Sequence, residues 1–219
     1  MLAIDSRSRV GFAAAGFPGR VEVLYPRDPA RPLADLGERA AELLRLCGEP
    51  DGVGVVTGPG GVVAVRGGVA FARAFAMARS LPAVGVTVFA AVEASVDRRE
   101  SPLIVAEPMG RGHLAVAEYG FGEAGEPQPR LIARGELLAA GVLVAGLATA
   151  EESFGGTATG VYAPTPEALA GLVVSQLAAG AAVGPESLFP LYLRDAGARR
   201  SYEVRGPDGV IARVGDGER

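Results

Sequence analysis

The residues that could carry out chemistry in this chain are few, and two reactive types occur once each. Cys47 is the only cysteine and His113 is the only histidine. A single cysteine excludes an intrachain disulfide, which fits a reducing compartment. A single histidine excludes a histidine-rich zinc site, an HExxH metalloprotease site and a Cys/His zinc finger. A catalytic triad would have to use His113, and no GxSxG turn is present.

The turn at residues 58–61 reads GPGG and precedes an apolar segment. A phosphate site at such a turn needs consecutive backbone N–H groups that point to one place, ideally at a helix N-terminus. Pro59 has no N–H, and the lysine and hydroxyl of a GxxxxGK[ST] loop are missing. We therefore predict that the isolated chain binds no nucleotide cofactor, with ATP conceivable only in an assembled complex, and that it holds no metal.

The hydrophobic pattern predicts the elements that must position these residues. LAID, RVGFAAA and RVEVLYP are apolar segments with short breaks, which is typical of an antiparallel meander. A helical period follows, with one apolar stripe of Leu36, Ala40, Leu43, Leu44 and Cys47. Cys47 is thus expected to be a small core residue. DGVGVVTG and PAVGV predict strands, with a helix at residues 68–79 between them, and VFAAVEAS predicts a further helix. The resulting order βββαβαβα is that of a ribonuclease-H-like half.

The second half repeats the strand-rich opening in shorter form. The charged segment VDRRESP predicts a domain boundary, so we expect lobes at residues 1–98 and 99–195 and an extension at 196–219. LIVAEP, HLAVAEY, RLIA and GVLVAG predict strands. TPEALAGLVVSQLAAG predicts a helix with Thr165 as N-cap. YEVRGPDGVIARV predicts a hairpin, or equally a loose tail.

Residues 68–79 predict a helix that is apolar on nearly every side, because Arg73 is its only polar side chain before Arg79. One face can lie on the sheet, and we predict that the other binds a protein; the alternative is that the second lobe covers it. Small residues four apart would permit close helix packing. The predicted interface, with the stripe at residues 36–47, comprises Leu36, Ala40, Leu43, Arg66, Gly68, Val69, Ala72, Arg73, Phe75, Ala76 and Arg79.

Three segments carry a resemblance to a known family. LAID at the start, the central VGVVTGPGGVVAVRGGVAFARAFAMARSLPAVGVTVFAAVEAS, and PLYLRD near Tyr192 resemble the TsaB (YeaZ) family. The resemblance covers most of residues 1–98 and is weak between about 99 and 185. It implies an actin-like fold of two lobes. It also implies a non-catalytic subunit that pairs with the catalytic homologue TsaD, and with the ATPase TsaE, to place threonylcarbamoyl on adenosine 37 of tRNAs reading ANN codons.

The sequence departs from the family pattern at two places. Residues 61–64 are GVVA where the family has SFTG, and the opening DSRSR lacks the glycine that actin-like phosphate loops place two residues after the acid. In actin-like kinases that acid orients metal and phosphate. Without its partners we favour Asp5 as a polar strand-end residue bonded to a turn. Arg66 is expected either to pair with an acid of a partner or to cap its own turn. Tyr192 and Arg194 are expected to dock the chain end, and His113 to be solvated.

Charge narrows the function classes further. The net charge is −4, every basic residue is an arginine, and acids are interspersed with them. Nucleic-acid binding normally shows a basic face, so tRNA contacts are expected mainly through partners. The N-terminus does not resemble a secretory signal and no long uncharged apolar run occurs, which favours a cytoplasmic protein without membrane spans. We also expect a homodimer when the chain is isolated. The alternatives are an ATP-dependent phosphotransferase of the same superfold and a peptidase.

Overall fold

The computed structural model describes residues 1–7, 12–17, 20–97, 101–110, 112–122, 127–133, 136, 142–146, 156–193, 202–205 and 211–214. Within these stretches no helix is long and apolar enough to cross a membrane.

The first sheet has five strands in the order β3-β2-β1-β4-β5. Their bounds are β1 Leu2–Asp5, β2 Phe12–Phe17, β3 Arg20–Leu24, β4 Val53–Gly58 and β5 Ala83–Thr87. Strands β1, β2 and β3 pair antiparallel, whereas β1, β4 and β5 are parallel. The predicted meander followed by helical crossovers is therefore confirmed, and the sheet is mixed.

Two helices cover one face of this sheet. Helix α1 (Leu36–Cys47) connects β3 to β4, and α2 (Val62–Arg79) connects β4 to β5. Their apolar side chains pack in one cluster with alternate residues of β1 and β4. The buried stripe of α1 consists of Leu36, Ala40, Leu43 and Cys47. The 3.6-residue period of the sequence therefore correctly predicted which face of α1 is buried.

The opposite face is covered by α3 (Val88–Glu93) and by α4 (Pro166–Ala178), which comes from much later in the chain. The side chain of Thr165 accepts a hydrogen bond from the backbone N–H of Ala168, so the predicted N-cap of α4 is present. Val173 of α4 packs directly on Gly54, because a Cβ at Gly54 would overlap its side chain. Helix α4 thus completes the core of the first sheet.

The second sheet repeats the topology of the first. Its strands are β6 Leu103–Gly110, β7 His113–Tyr119, β8 Arg130–Ala133, β9 Leu143–Ala145 and β10 Thr157–Ala158. Their order is β10-β9-β6-β7-β8, in which β6, β7 and β8 pair antiparallel and β6, β9 and β10 are parallel. Read from β8, this is the order of the first sheet, with β6 in the place of β1. The predicted repetition is confirmed.

The two sheets share one apolar cluster with α3 and α4. The proposed boundary at residues 98–99 lies outside the described residues and remains a prediction. Residues 185–193, which we call the strap, run beside α2; Leu188 is buried and the N–H of Leu191 donates to the carbonyl of Thr57 at 2.8 Å. Strands β11 (Tyr202–Arg205) and β12 (Ile211–Val214) pair antiparallel, as the hairpin prediction requires.

Candidate functional site

Three charged side chains, two from the first lobe and one from the second sheet, contact one another. Asp5 is the last residue of β1, Arg7 follows two residues later, and Glu107 lies in β6. The guanidinium of Arg7 donates from Nε to Asp5 Oδ1 at 3.0 Å and from Nη2 to Oδ2 at 2.9 Å. Its Nη1 lies 3.3 Å from Oε1 of Glu107. We call Asp5, Arg7 and Glu107 the ion cluster.

The ion cluster sets two carboxyl groups against one guanidinium, away from bulk water. The side chains of Arg7 and Asp5 are 9% and 0% exposed, and that of Glu107 is 17% exposed. The pKa of Glu107 is raised to about 7, mainly by burial; the charge of Arg7 opposes the rise and that of Asp5 adds to it. Burial alone would lower the pKa of Arg7, but the two carboxyl groups together raise it, so the guanidinium stays charged.

Asp5 has the turn-bonded arrangement favoured from the sequence. The backbone N–H of Arg7 donates to its Oδ1 at 3.0 Å, and the guanidinium of the same residue contacts both carboxylate oxygens. Among the described residues, no group of three or more His, Cys, Asp or Glu side chains could hold a metal ion. The arrangement is a closed intramolecular contact between the two sheets rather than an open ligand cradle.

The residue between Asp5 and Arg7 connects the ion cluster to α2. The hydroxyl of Ser6 donates to the carbonyl of Ala64, in the first turn of the helix, at 2.8 Å. A Cβ at Gly68, one turn later, would overlap the Ser6 hydroxyl, so a glycine is needed for this approach. In the GPGG turn, a Cβ at Gly60 would lie 3.0 Å from Cδ of Arg7. Gly68 and Gly60 therefore leave room for the side chains of Ser6 and Arg7.

The inward face of α2 corrects the predicted interface. Gly68, Val69, Ala72 and Ala76 are buried against the sheet, and Leu36, Ala40 and Leu43 of α1 are buried in the same cluster. These seven residues form the core of the chain, so the prediction that they present an outward surface is wrong. The physical reason is that small residues four apart allow a helix to approach its own sheet as closely as it would approach a partner.

The outward face of α2 is apolar as well. Its side chains at helical spacing are exposed, with Val63 79% and Met77 59% exposed. The whole helix contains three arginines and no acid. We call this surface the crest; it consists of Val63, Ala70, Ala74, Met77 and Ala78. At its N-terminal end it adjoins an apolar depression of about 480 Å³ lined by residues 30–34 and 61–64.

One flank of the crest is formed by arginines that stack on the strap. Nε of Arg66 donates to the hydroxyl of Tyr192 at 2.6 Å, and its guanidinium lies 5.3 Å from the centre of that ring. Arg73 lies over Phe189 at 5.2 Å. Within the chain Arg66 holds the strap rather than capping its own turn, and its pairing with an acid of a partner stays a prediction. Tyr192 docks this segment as predicted, and Arg194 lies outside the described residues.

The other flank of the crest faces α1. Arg79 lies 4.2 Å from the centre of the Phe75 ring and 3.2 Å from Oε2 of Glu49, measured from Nε. The rings of Phe75 and Phe71 pack with centroids 5.9 Å apart. A Cβ at Gly37 of α1 would be in ordinary contact with Phe71, so α1 and α2 lie side by side. Phe75 and Arg79 therefore line the seam between the two helices.

Comparisons with known proteins agree with this geometry. A family model described as "TsaD: tRNA N6-adenosine threonylcarbamoyltransferase" matches residues 40–131, which run from α1 to β8 and make up under half of the chain. A solved structure from Pseudomonas aeruginosa, an uncharacterized protein with similarity to peptidase YEAZ, superposes with a TM-score of 0.75 at 20% identity, covering 88% of this chain and 98% of its own. YeaZ from the same organism gives 0.72 at 19% identity, covering 87% and 99%. No curated protein sequence matches.

At 20% and 19% identity, the two solved structures show a fold that this chain shares with them. The near-complete coverage of both solved chains shows that the fold is the actin-like one of two ribonuclease-H-like lobes, as predicted. The match to the TsaD model begins inside α1 and includes all of α2, the helix that carries the crest.

The single cysteine and the single histidine both lie in secondary-structure elements. Cys47 is buried on the inner stripe of α1, and burial raises the pKa of its thiol, which makes it a poor nucleophile. His113 begins β7, is half-buried and has an interaction partner, so the expectation of a solvated side chain is only partly met.

Sequence reasoning missed Arg7 and Glu107. The available signals were a lone acid within the apolar strand LIVAEP and an arginine two residues after the strand-end acid.

Proposed function

We propose that this chain is a non-catalytic, TsaB-like subunit that pairs with a TsaD-like catalytic subunit to threonylcarbamoylate adenosine 37 of ANN-decoding tRNAs. The crest carries the proposal. Solvent-exposed apolar side chains along one helix usually mark a binding surface for another protein. The match to a tRNA N6-adenosine threonylcarbamoyltransferase model and the two YeaZ-like structures indicate which process that partner serves.

The charge distribution supports a scaffold role. The arginines of α2 are engaged by Tyr192, Phe189 and Phe75 rather than grouped around a pocket. The three groups of the ion cluster bind one another. We therefore propose that the chain contributes no chemical group to carbamoyl transfer, binds no cofactor by itself, and contacts tRNA mainly through its partners, among them a TsaE-like ATPase.

The same crest serves a second copy when the catalytic subunit is absent. A helix packs on a neighbour best where its residues are small, and Ala70, Ala74 and Ala78 provide that surface between Val63 and Met77. The homodimer and the heterodimer then compete, because one face cannot bind two partners at once. We place both complexes at the crest, in the cytoplasm.

The test is Ala74→Glu, which puts a charge in the middle of the crest without touching the core. Leaving a buried charge unpaired in an interface costs about 3–5 kcal/mol, so both complexes should weaken by more than about 100-fold. Ala178→Glu, at the exposed end of α4, is the matched control. Sedimentation velocity reports the homodimer, co-purification reports TsaD-like binding, and a reconstituted assay reports tRNA modification.

The expected result is a folded monomer that neither binds the catalytic subunit nor supports modification, while the control behaves as wild type. A folded Ala74→Glu protein that still forms both complexes would contradict the assignment of the crest. Modification that fails although the complex forms would contradict the non-catalytic role.

A further inference from the structure

The two arginines on the strap side of the crest carry charges that nothing within the chain neutralises. Arg66 donates to the hydroxyl of Tyr192 and lies over its ring. Arg73, two helical turns later, lies over the ring of Phe189. Rings and a neutral hydroxyl orient a guanidinium without cancelling its charge. Among the described residues neither arginine forms an ion pair with a carboxylate. We call Arg66 and Arg73 the arginine flank.

The acids near this surface are already paired or lie to one side of it. Helix α2 contains no acid. Both acids of α1, and Glu49 just beyond it, form ion pairs within the chain: Glu38 with Arg27, Glu42 with Arg39 and Glu49 with Arg79. The strap runs antiparallel to α2, so its single acid, Glu186, lies beyond Arg73 and away from Arg66. The strap side of the crest therefore has two guanidiniums against one carboxylate.

A second copy of the chain would set this surplus charge against itself. A twofold axis through the crest near Ala70, perpendicular to α2, lays two copies of the helix antiparallel and leaves both arginine flanks on the same side of the interface. Arg73 of one copy then comes beside Arg66 of the other. A twofold axis along the helix would instead bring the flank toward Arg79, where Glu49 is already paired. In both arrangements the second copy adds cations and no unpaired carboxylate, which opposes association.

We propose that the arginine flank selects the partner of the crest. It favours a TsaD-like catalytic subunit whose contact surface is apolar along its middle and carries carboxylates opposite Arg66 and Arg73, and it disfavours a second copy of this chain. The inference rests on the proposed function, in which the two partners compete for one face, and adds the charge that decides between them. The rings of Phe189 and Tyr192 hold the guanidiniums in place, so less side-chain freedom is lost on binding.

The double variant Arg66→Gln/Arg73→Gln tests the selection in the full-length protein. Sedimentation equilibrium gives the Kd of the homodimer, and fluorescence titration gives the Kd of the complex with the TsaD-like subunit, both in about 50 mM NaCl, where screening is weak. Removing the two charges should weaken the complex about tenfold or more and tighten the homodimer about threefold or more. For the unaltered protein, raising NaCl to about 500 mM should shift the two constants in these same opposite directions.

Two control variants separate charge from contact. Arg66→Lys/Arg73→Lys keeps both charges and should keep the preference of the unaltered protein. Arg20→Gln/Arg130→Gln removes two exposed arginines from β3 and β8, away from the crest, and should change neither constant.

A folded Gln variant in which neither Kd changes, or both change in the same direction, would refute the selection and leave the proposed function intact. Unchanged protein affinities with weaker binding of tRNA by the assembled complex would assign the arginine flank to RNA and would also refute it. An unaltered chain that does not bind the catalytic subunit would overturn both proposals. If the Gln variant does not fold, the salt series decides: parallel salt dependence of the two complexes refutes the selection.

Discussion

The stability of the whole chain should depend on pH through Glu107. Its carboxyl has an ordinary value of 4.5 and a pKa of about 7 in the folded protein, where burial is the main cause. The folded state therefore binds the proton more tightly than the unfolded state does. The stabilisation by Glu107 is complete below about pH 4.5 and is lost as pH rises through 7.

Linkage gives the magnitude of this effect. One pKa unit corresponds to about 1.4 kcal/mol, so the free energy of unfolding should fall by about 2–3 kcal/mol between pH 5 and pH 8. Glu107→Gln removes the titrating group but keeps a neutral side chain of the same shape. The variant should match wild type near pH 5 and exceed its stability by about 2–3 kcal/mol at pH 8.

Urea unfolding followed by circular dichroism at half-unit steps of pH measures this difference. Glu38→Gln is the control, because Glu38 forms an exposed salt bridge with Arg27, and such pairs contribute little. Its curve should run parallel to that of wild type. If the Glu107→Gln and wild-type curves were also parallel from pH 5 to pH 8, Glu107 would not be held in a buried, charge-unbalanced site.

Two further predictions concern α4. Gly54→Ala should destabilise the chain by about 1–3 kcal/mol in urea unfolding, because the added Cβ overlaps the side chain of Val173. Adding Val173→Ala should recover part of this loss, and no recovery would refute the direct contact. Thr165→Ala should lower the free energy of unfolding by about 1 kcal/mol, because it removes the acceptor for the N–H of Ala168. Thr165→Ser should retain most of the stability, and equal losses in the two variants would contradict the capping role.

Local patterns were sufficient to predict most of the fold. The alternating strands, the stripe on α1, the N-cap at Thr165 and the repetition of the two halves each depend on residues close together in sequence. Burial on α2 could not be predicted in the same way. An apolar helix with small residues on two sides gives no indication of which side lies on the sheet, and the choice depends on Ser6 and Val55, far away in the chain.

The site was less predictable for a related reason. Asp5 could be identified as a strand-end acid, but its environment is set by Arg7 and by Glu107 across the molecule. The strap likewise joins Arg66 to Tyr192, which lie 126 residues apart. Contacts of this kind follow from the arrangement of the two sheets and leave no periodic signal in a single sequence.

The place of α4 on the first sheet has a consequence for synthesis of the chain on the ribosome. All five strands of that sheet are made by Thr87, but the helix that covers the residues around Gly54 ends only at Ala178. During the intervening elongation, α3 is present but the part of this face that α4 covers is apolar and open, which exposes the nascent chain to aggregation. The first half therefore cannot reach its final stability as an autonomous unit, and a fragment that ends before Pro166 should require a chaperone or a solubilising fusion to remain in solution.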